Sequence, residues 1–446
     1  MSEERVPTAS ILIYSSPVLG VFMAMMLVNF YLLKFATDVL LIAPATIGFL
    51  LLLARLWDAV TDPAAGWLSD RTHTRLGRRR PWFLASALPL GGSIVMLWSP
   101  PAELAGSALT LWVGVAILLF YTTYTAFRVP HLALGAELSR GYHDRTRVFG
   151  VMQMVESLGM LAAAGTLVFL ERAEDPRTFA RSLALGIGAF AAILIVLAAW
   201  RLRERTEFLG RGGSSPLRSF GDVLANPHSR ILIGVFFLEQ LGFAALVALM
   251  PYLSDYVLET PGNTGIYLFG ALGAALLSIP AWIRLSQHLG KIRIWRFSLV
   301  VKAVLFALAF FLEAGDFLPM LAIATCFGVM HGCGSVVGPS LKADVVDWDE
   351  AETGERKEGT YFATWNFVQK GAGGVALWMI GVMLTATGFV PNVPQEIDTL
   401  LGMRSLAAVM PSLLHVLALI MLLRFALDES AHLEARQRAA QRIAGQ

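Results

Sequence analysis

The stretch Leu76-Gly77-Arg78-Arg79-Arg80-Pro81-Trp82 recurs in the second half of the chain as Leu289-Gly290-Lys291-Ile292-Arg293-Ile294-Trp295. In both places a Leu-Gly pair, a basic cluster and a tryptophan come directly after a long apolar run. Working outward, apolar runs lie near 11–36, 44–69, 82–99, 108–138, 147–170 and 180–203. Six more lie near 230–256, 263–284, 293–313, 317–345, 358–388 and 405–427. The first copy follows the second run and the other follows the eighth, so a six-run unit is used twice. A spanning helix needs roughly 20 apolar residues. Only helices or closed barrels satisfy the backbone in lipid, and these runs are too long and too evenly apolar for barrel strands. The prediction is an all-α membrane protein of 12 transmembrane helices in two six-helix halves.

Composition agrees. Of 446 residues, 56% are hydrophobic and 15% are charged, where a soluble domain carries about 25%. The expected organisation is an N-terminal half over 1–203, a central loop over 204–229, a C-terminal half over 230–427 and a charged tail over 428–446. The loop is polar and holds Gly210, Gly212, Gly213, Ser214, Ser215 and Pro216. Such duplication is common in secondary transporters, whose solute site lies between the halves near the midplane.

The basic residues are distributed unevenly. Arg71, Arg75, Arg78–Arg80, Arg140, Arg145 and Arg147 fall on one side, with Arg201, Arg203, Arg205, Arg211, Arg218 and Arg230 of the central loop. Arg284, Lys291, Arg293, Arg296, Arg356 and Lys357 join them, against only Arg172, Arg177, Arg181 and Arg404 opposite. Positive charge marks the cytoplasmic face, so both termini are expected there, in a bacterial inner membrane. The first apolar run is too long for a signal peptide's core. Cys326 and Cys333 lie in an apolar run and read as small core residues. The net charge of +2 gives no reason to expect a nucleic-acid partner.

Several segments carry a resemblance. Gly66-Trp67-Leu68-Ser69-Asp70-Arg71, continued by Arg75 to Trp82, resembles the signature loop between spans 2 and 3 of the major facilitator superfamily. Arg55-Leu56-Trp57-Asp58-Ala59-Val60-Thr61-Asp62-Pro63 resembles the span-2 motif of its glycoside–pentoside–hexuronide:cation symporters, the group of the melibiose carrier. Val129-Pro130-His131 through Gly135-Ala136-Glu137-Leu138 is similar to the end of span 4. Ala343 to Asp347, Gly354 to Gly359, and Lys370 are similar to spans 10 and 11. The resemblance covers nearly the whole chain and implies the major facilitator fold and alternating access.

Asp58 and Asp62 are four residues apart and share a helix face. Carboxylates inside a span are costly and usually functional. Two close ones resist joint ionisation, so they hold a cation or share a proton. The resemblance implies that they form the coupling-cation site, taking Na+ or H+, with Thr125 as another oxygen ligand. Thr61 stands where the melibiose carrier has asparagine. The competing reading pairs the two acids with Arg55, Lys34 or Arg128. Asp70, with Arg71 and Arg75, is expected to form a gating charge relay.

The sugar-binding set of the melibiose carrier is not preserved. Phe22 and Arg128 stand in place of its two acids, Leu132 in place of a tryptophan and Gln153 in place of an arginine; Lys370 is retained. Arg128 and Lys370 become candidate contacts for an anionic solute, since a guanidinium grips a carboxylate bidentately. Arg128 has Glu156 or the Asp58/Asp62 pair as internal alternatives, and Lys370 has Asp344 or Asp347. Tyr361, Trp365 and Gln369 line up at helical spacing, as a stacking face for solute or as a packing stripe. Glu239 and Gln240 mark another polar point. His331 sits among Gly328, Gly332 and Gly334, which read as close helix packing, with proton carriage as its alternative role.

The reading is therefore a cation-coupled symporter of a glycoside, uronide or related organic anion, expected to be monomeric and without a cofactor. A carrier of lysolipid-like amphiphiles is the alternative. No nucleotide loop, metal-spaced histidine cluster or Ser–His pairing points to an enzyme.

Overall fold

The computed structural model describes residues 5–138, 142–202, 204, 221, 223–353 and 358–425. Arg140, Arg203, Arg205, Arg211, Arg218, Arg356, Lys357, Gly210, Gly212, Gly213, Ser214, Ser215, Pro216, Gly354, Glu355 and the tail 428–446 lie outside them.

Among the described residues every long regular element is a helix. The first half comprises α1 (Thr8–Lys34), α2 (Pro44–Arg71), α3 (Arg80–Trp98), α4 (Gly106–Glu137), α5 (Tyr142–Glu171) and α6 (Pro176–Arg201). The second comprises α7 (Pro227–Tyr252), α8 (Thr264–Leu289), α9 (Lys291–Ala309), α10 (Phe317–Thr353) and α11 (Glu358–Ala386). Its last span is α12 (Ile397–Arg404) and α13 (Met410–Leu423), joined by a π turn over Ser405–Val409.

Eleven helices among the described residues are long and apolar enough to cross a membrane. The expected ninth span, α9, is not among them. It has 19 residues, and Lys291, Arg293, Arg296 and Lys302 fall within it. Several predicted boundaries move. α7 begins at Pro227 rather than 230, because the Asn226 side chain accepts from His228 N and Ser229 N and fixes the start. α10 runs to Thr353 rather than 345, carrying Asp347 and Asp349 beyond the expected run.

The chain separates into two compact units, Met1–Ser214 with Pro261–Gly265, and Ser215–Thr260 with Ile266–Gln446. Within the first, α1 packs on α5 and α6, and α3 on α4 and α6. Within the second, α7 packs on α11 and α13, and α9 on α10 and α13. Position for position the pattern is the same, so the duplication read from one heptapeptide extends to the packing. The ends of α1 and α7 repeat as well. Each passes into a π turn, Phe35–Val39 and Leu253–Val257. Each turn is closed by equivalent bonds, Leu40 N to Phe35 O and Leu258 N to Leu253 O. Each then bends through a left-handed residue, Leu41 or Glu259.

The glycines of the repeated heptapeptide share a cause. Gly77 has φ 107° and Gly290 has φ 82°. Both backbones turn sharply into the next helix through a region that side chains resist. Outside the core, large apolar side chains such as Leu88, Trp200, Leu277 and Phe311 are exposed, as a lipid-facing surface requires.

Candidate functional site

The site is built on the contact between α2 and α4. Thr125 Oγ1 on α4 donates to Asp62 Oδ1 on α2 at 2.8 Å, and Trp57 Nε1 donates to Thr122 Oγ1 at 2.9 Å one turn earlier on both helices. Asp58, one turn from Asp62, is 1% exposed. Arg55 Nη1 lies 3.9 Å from its carboxylate. Arg55 is itself positioned from two sides: its Nη2 donates to Asn29 Oδ1 on α1 at 2.6 Å, and its guanidinium lies over the Tyr121 ring. Asp58, Asp62 and Thr125 are thus brought together, with Arg55 as the internal cation. Lys34, a competing partner in the sequence reading, pairs instead with Asp38 at 2.5 Å. Thr61 is half-buried, and its hydroxyl donates to Trp57 O of its own helix.

Arg128 forms an ion pair with Glu156 of α5. Its guanidinium is engaged inside the half by Glu156, the internal partner named above. Phe22 on α1 is half-buried near Gly159 of α5, and Gln153 is exposed on α5.

The loop network uses different arginines from those expected. Asp70 is bound by Arg79, and Arg78 Nη1 lies 3.9 Å from it. Arg78 also pairs with Glu137 of α4 at 2.5 Å, and Arg79 donates to Ser69 Oγ at 2.6 Å. The Glu204 carboxylate accepts the backbone N–H groups of Arg78, Arg79 and Arg80, each at 2.8 Å. Arg71 and Arg75 stand outside this network: both are exposed, and Arg71 lies over the Trp67 ring. The reason is geometric. α2 ends at Arg71, whereas the turn at Gly77 folds Arg78 and Arg79 back beneath Asp70. Glu204 is invisible to sequence reading because its partners are more than a hundred residues away.

In the second half, Tyr361 and Trp365 are buried in the core with Trp295, Val337 and Leu341. Tyr361 Oη accepts from Asn226 at 2.9 Å, and Lys342 lies over the Trp365 ring. The two aromatics are a packing stripe here, not an open stacking face. Gln369 is exposed and Lys370 half-buried on α11. Asp344 pairs with Lys291 at 2.6 Å. Glu239 pairs with Lys302 and accepts Trp295 Nε1 at 2.9 Å. Lys302, a lysine within an apolar run, is the kind of signal in the sequence that marks such a pair.

A family model described as MFS/sugar transport protein matches residues 13–429. The chain belongs to that family. Its relatives within the curated proteins include YagG of Escherichia coli (strain K12), named as a candidate glycoside/cation symporter, 25% identical over 92% of this chain and 89% of YagG. The isoprimeverose transporter of Lactiplantibacillus pentosus is 25% identical, over 84% of this chain and 79% of that protein. The solved structure of a D-xylose–proton symporter superposes with TM-score 0.71 at 13% identity, over 94% of this chain and 98% of that one, a likeness of fold alone. This member of the MFS/sugar transport family is therefore a multi-pass membrane transporter with the major facilitator fold. The resemblance to glycoside–pentoside–hexuronide:cation symporters holds. These relatives lend the amphiphile alternative no support.

Proposed function

We propose that the protein couples a cation, Na+ or H+, to the transport of a neutral glycoside, with Asp58, Asp62 and Thr125 as the coupling site. The observation that carries this is the Thr125–Asp62 hydrogen bond across the α2–α4 contact with the buried Asp58 carboxylate one turn away. Two carboxylates and a hydroxyl are hard oxygen donors, suited to Na+, and a carboxylate is equally a proton acceptor. The ion is cargo. Arg55 is the resident counter-charge at Asp58, so an arriving cation competes with a guanidinium already held by Asn29. That competition ties ion binding to the position of α1 against α2, the kind of differential contact that a conformational change needs.

The neutral solute follows from the Arg128–Glu156 pair. An anionic solute would have to take Arg128 from a carboxylate already in place. The names of the two relatives, a glycoside/cation symporter and an isoprimeverose transporter, agree with a sugar cargo.

The test uses the purified full-length chain. Its thermal midpoint is measured in NaCl and in KCl across a pH series, followed by uptake of a glycoside panel into proteoliposomes. The expected result is an ion-specific or acid-specific rise in the midpoint, absent in Asp58→Asn and Asp62→Asn. Unaltered ion and pH responses in both variants would remove the site.

A further inference from the structure

Glu239 on α7 and Lys302 on α9 form an ion pair inside the second half, where Lys302 is 1% exposed. The other carboxylate oxygen of Glu239 accepts Trp295 Nε1. Two histidines complete the surroundings. The His415 ring of α13 lies against Gly242, about one turn along α7 from Glu239, and its Nδ1 is 2.7 Å from Pro411 O. His331 of α10 stacks on Phe243, also one turn from Glu239, with ring centroids 4.3 Å apart. Phe306, one turn from Lys302, packs against both His415 and Phe327. Four helices therefore converge on one ion pair. Lys302, His415 and His331 are thus charged or titratable groups placed around Glu239 by α9, α13 and α10. Cys333 of α10 is buried in the same half. α11, also packed on α7, carries the half-buried Lys370.

Packing alone does not call for this arrangement. Counted from the shared π turn, Glu239 corresponds to Val21; counted from the shared Leu-Gly pair, Lys302 corresponds to Pro89. The first half repeats the pairing of these helices with their neighbours while carrying neither charge at these places. A buried ion pair is often replaceable by apolar residues at no loss of stability, and ionisable groups at membrane depth generally mark ion pathways.

We propose that Glu239 is a proton-binding site of the C-terminal half, separate from the Asp58/Asp62 site. Protonation forms an O–H bond at the carboxylate oxygen that now faces Lys302. The Lys302 ammonium keeps its own protons and loses its counter-ion, and the contact between α7 and α9 opens. Release returns the proton to water and re-forms the pair. Trp295 holds the second oxygen in both states, so the carboxyl group stays in place while its partner changes.

The proton itself is the probe. Full-length protein in lipid vesicles is taken through pH steps and followed by infrared difference spectroscopy. A carboxyl C=O band is expected to appear on acidification in the unaltered protein and in the Asp58→Asn/Asp62→Asn double variant. It should be lost in Glu239→Gln, which keeps the acceptor for Trp295. Should Glu239→Gln not fold, Glu239→Asp decides: the band must move in frequency. A band unchanged in Glu239→Gln or Glu239→Asp, a band lost only in the Asp58/Asp62 variant, or no pH-dependent carboxyl band at all would each overturn the proposal.

Discussion

The contact of α2 with α4 and that of α8 with α10 are the same joint in the two halves, filled differently. In the first, Asp62 meets Thr125 and Asp58 lies one turn away. Counted from the shared Leu-Gly pair, Asp58 and Asp62 correspond to Ala271 and Ala275. There the backbone oxygens of Ala271 and Ala275 face Gly328 and Gly332 so closely that a side chain on either glycine would clash. Ser278 and Trp282 tie the joint further, both donating to Val329 O. Small residues and backbone contact thus close this joint without charge, the usual economy of helices packed in lipid. The fold does not require carboxylates at this place, so their presence in the first half points to transport. The second half has a buried ion pair elsewhere, between α7 and α9.

The loops after α2 and α8 sharpen the comparison. The first is held by buried arginines and Glu204, whereas the second has the partly exposed Lys291–Asp344 pair. Arg79→Ala strips bonds from Asp70, Glu137 and Ser69 and is expected to destabilise by about 2–3 kcal/mol, since hydrogen bonds to charged groups are the stronger kind. Lys291→Ala should cost under about 1 kcal/mol, and Arg75→Ala under about 0.5 kcal/mol. Thermal midpoints of the three variants in one detergent check the order; equal losses would mean that the loops are held alike.

A finer probe uses the paired glycines. Gly77→Ala forces a left-handed backbone and drives a methyl group into Glu204, whereas Gly290→Ala meets the same backbone demand in open space. The expected losses are about 2 and about 1 kcal/mol. A reversal, read from the same thermal midpoints, would show that Glu204 is not seated on the turn.

The smallest effect concerns the two threonines of the cation site. Thr125→Val removes the donor to Asp62, while Thr61→Val removes only a bond to the backbone of α2. The first should raise the ion concentration for half-maximal thermal stabilisation about fivefold, the value of roughly 1 kcal/mol. The second should leave it unchanged. If both variants behave alike, the ligand set on α4 is wrong.

Eleven of the twelve expected spans, the duplication, the family and the shared face of Asp58 and Asp62 were legible in the amino-acid order alone. Each of these is a local property: hydropathy over some twenty residues, or a spacing of four along one helix. Even Lys302 was open to notice, as a cation in an apolar run. Which charge answers which follows from packing. Arg79 rather than Arg71 holds Asp70, Glu156 holds Arg128, Asp38 holds Lys34, and Tyr361 with Trp365 faces the core. A buried charge at membrane depth must find a counter-charge, but lipid exclusion fixes only that one exists. Its identity depends on how helices distant in the chain are rotated against one another, and apolar runs with little amphipathic bias leave that rotation unwritten.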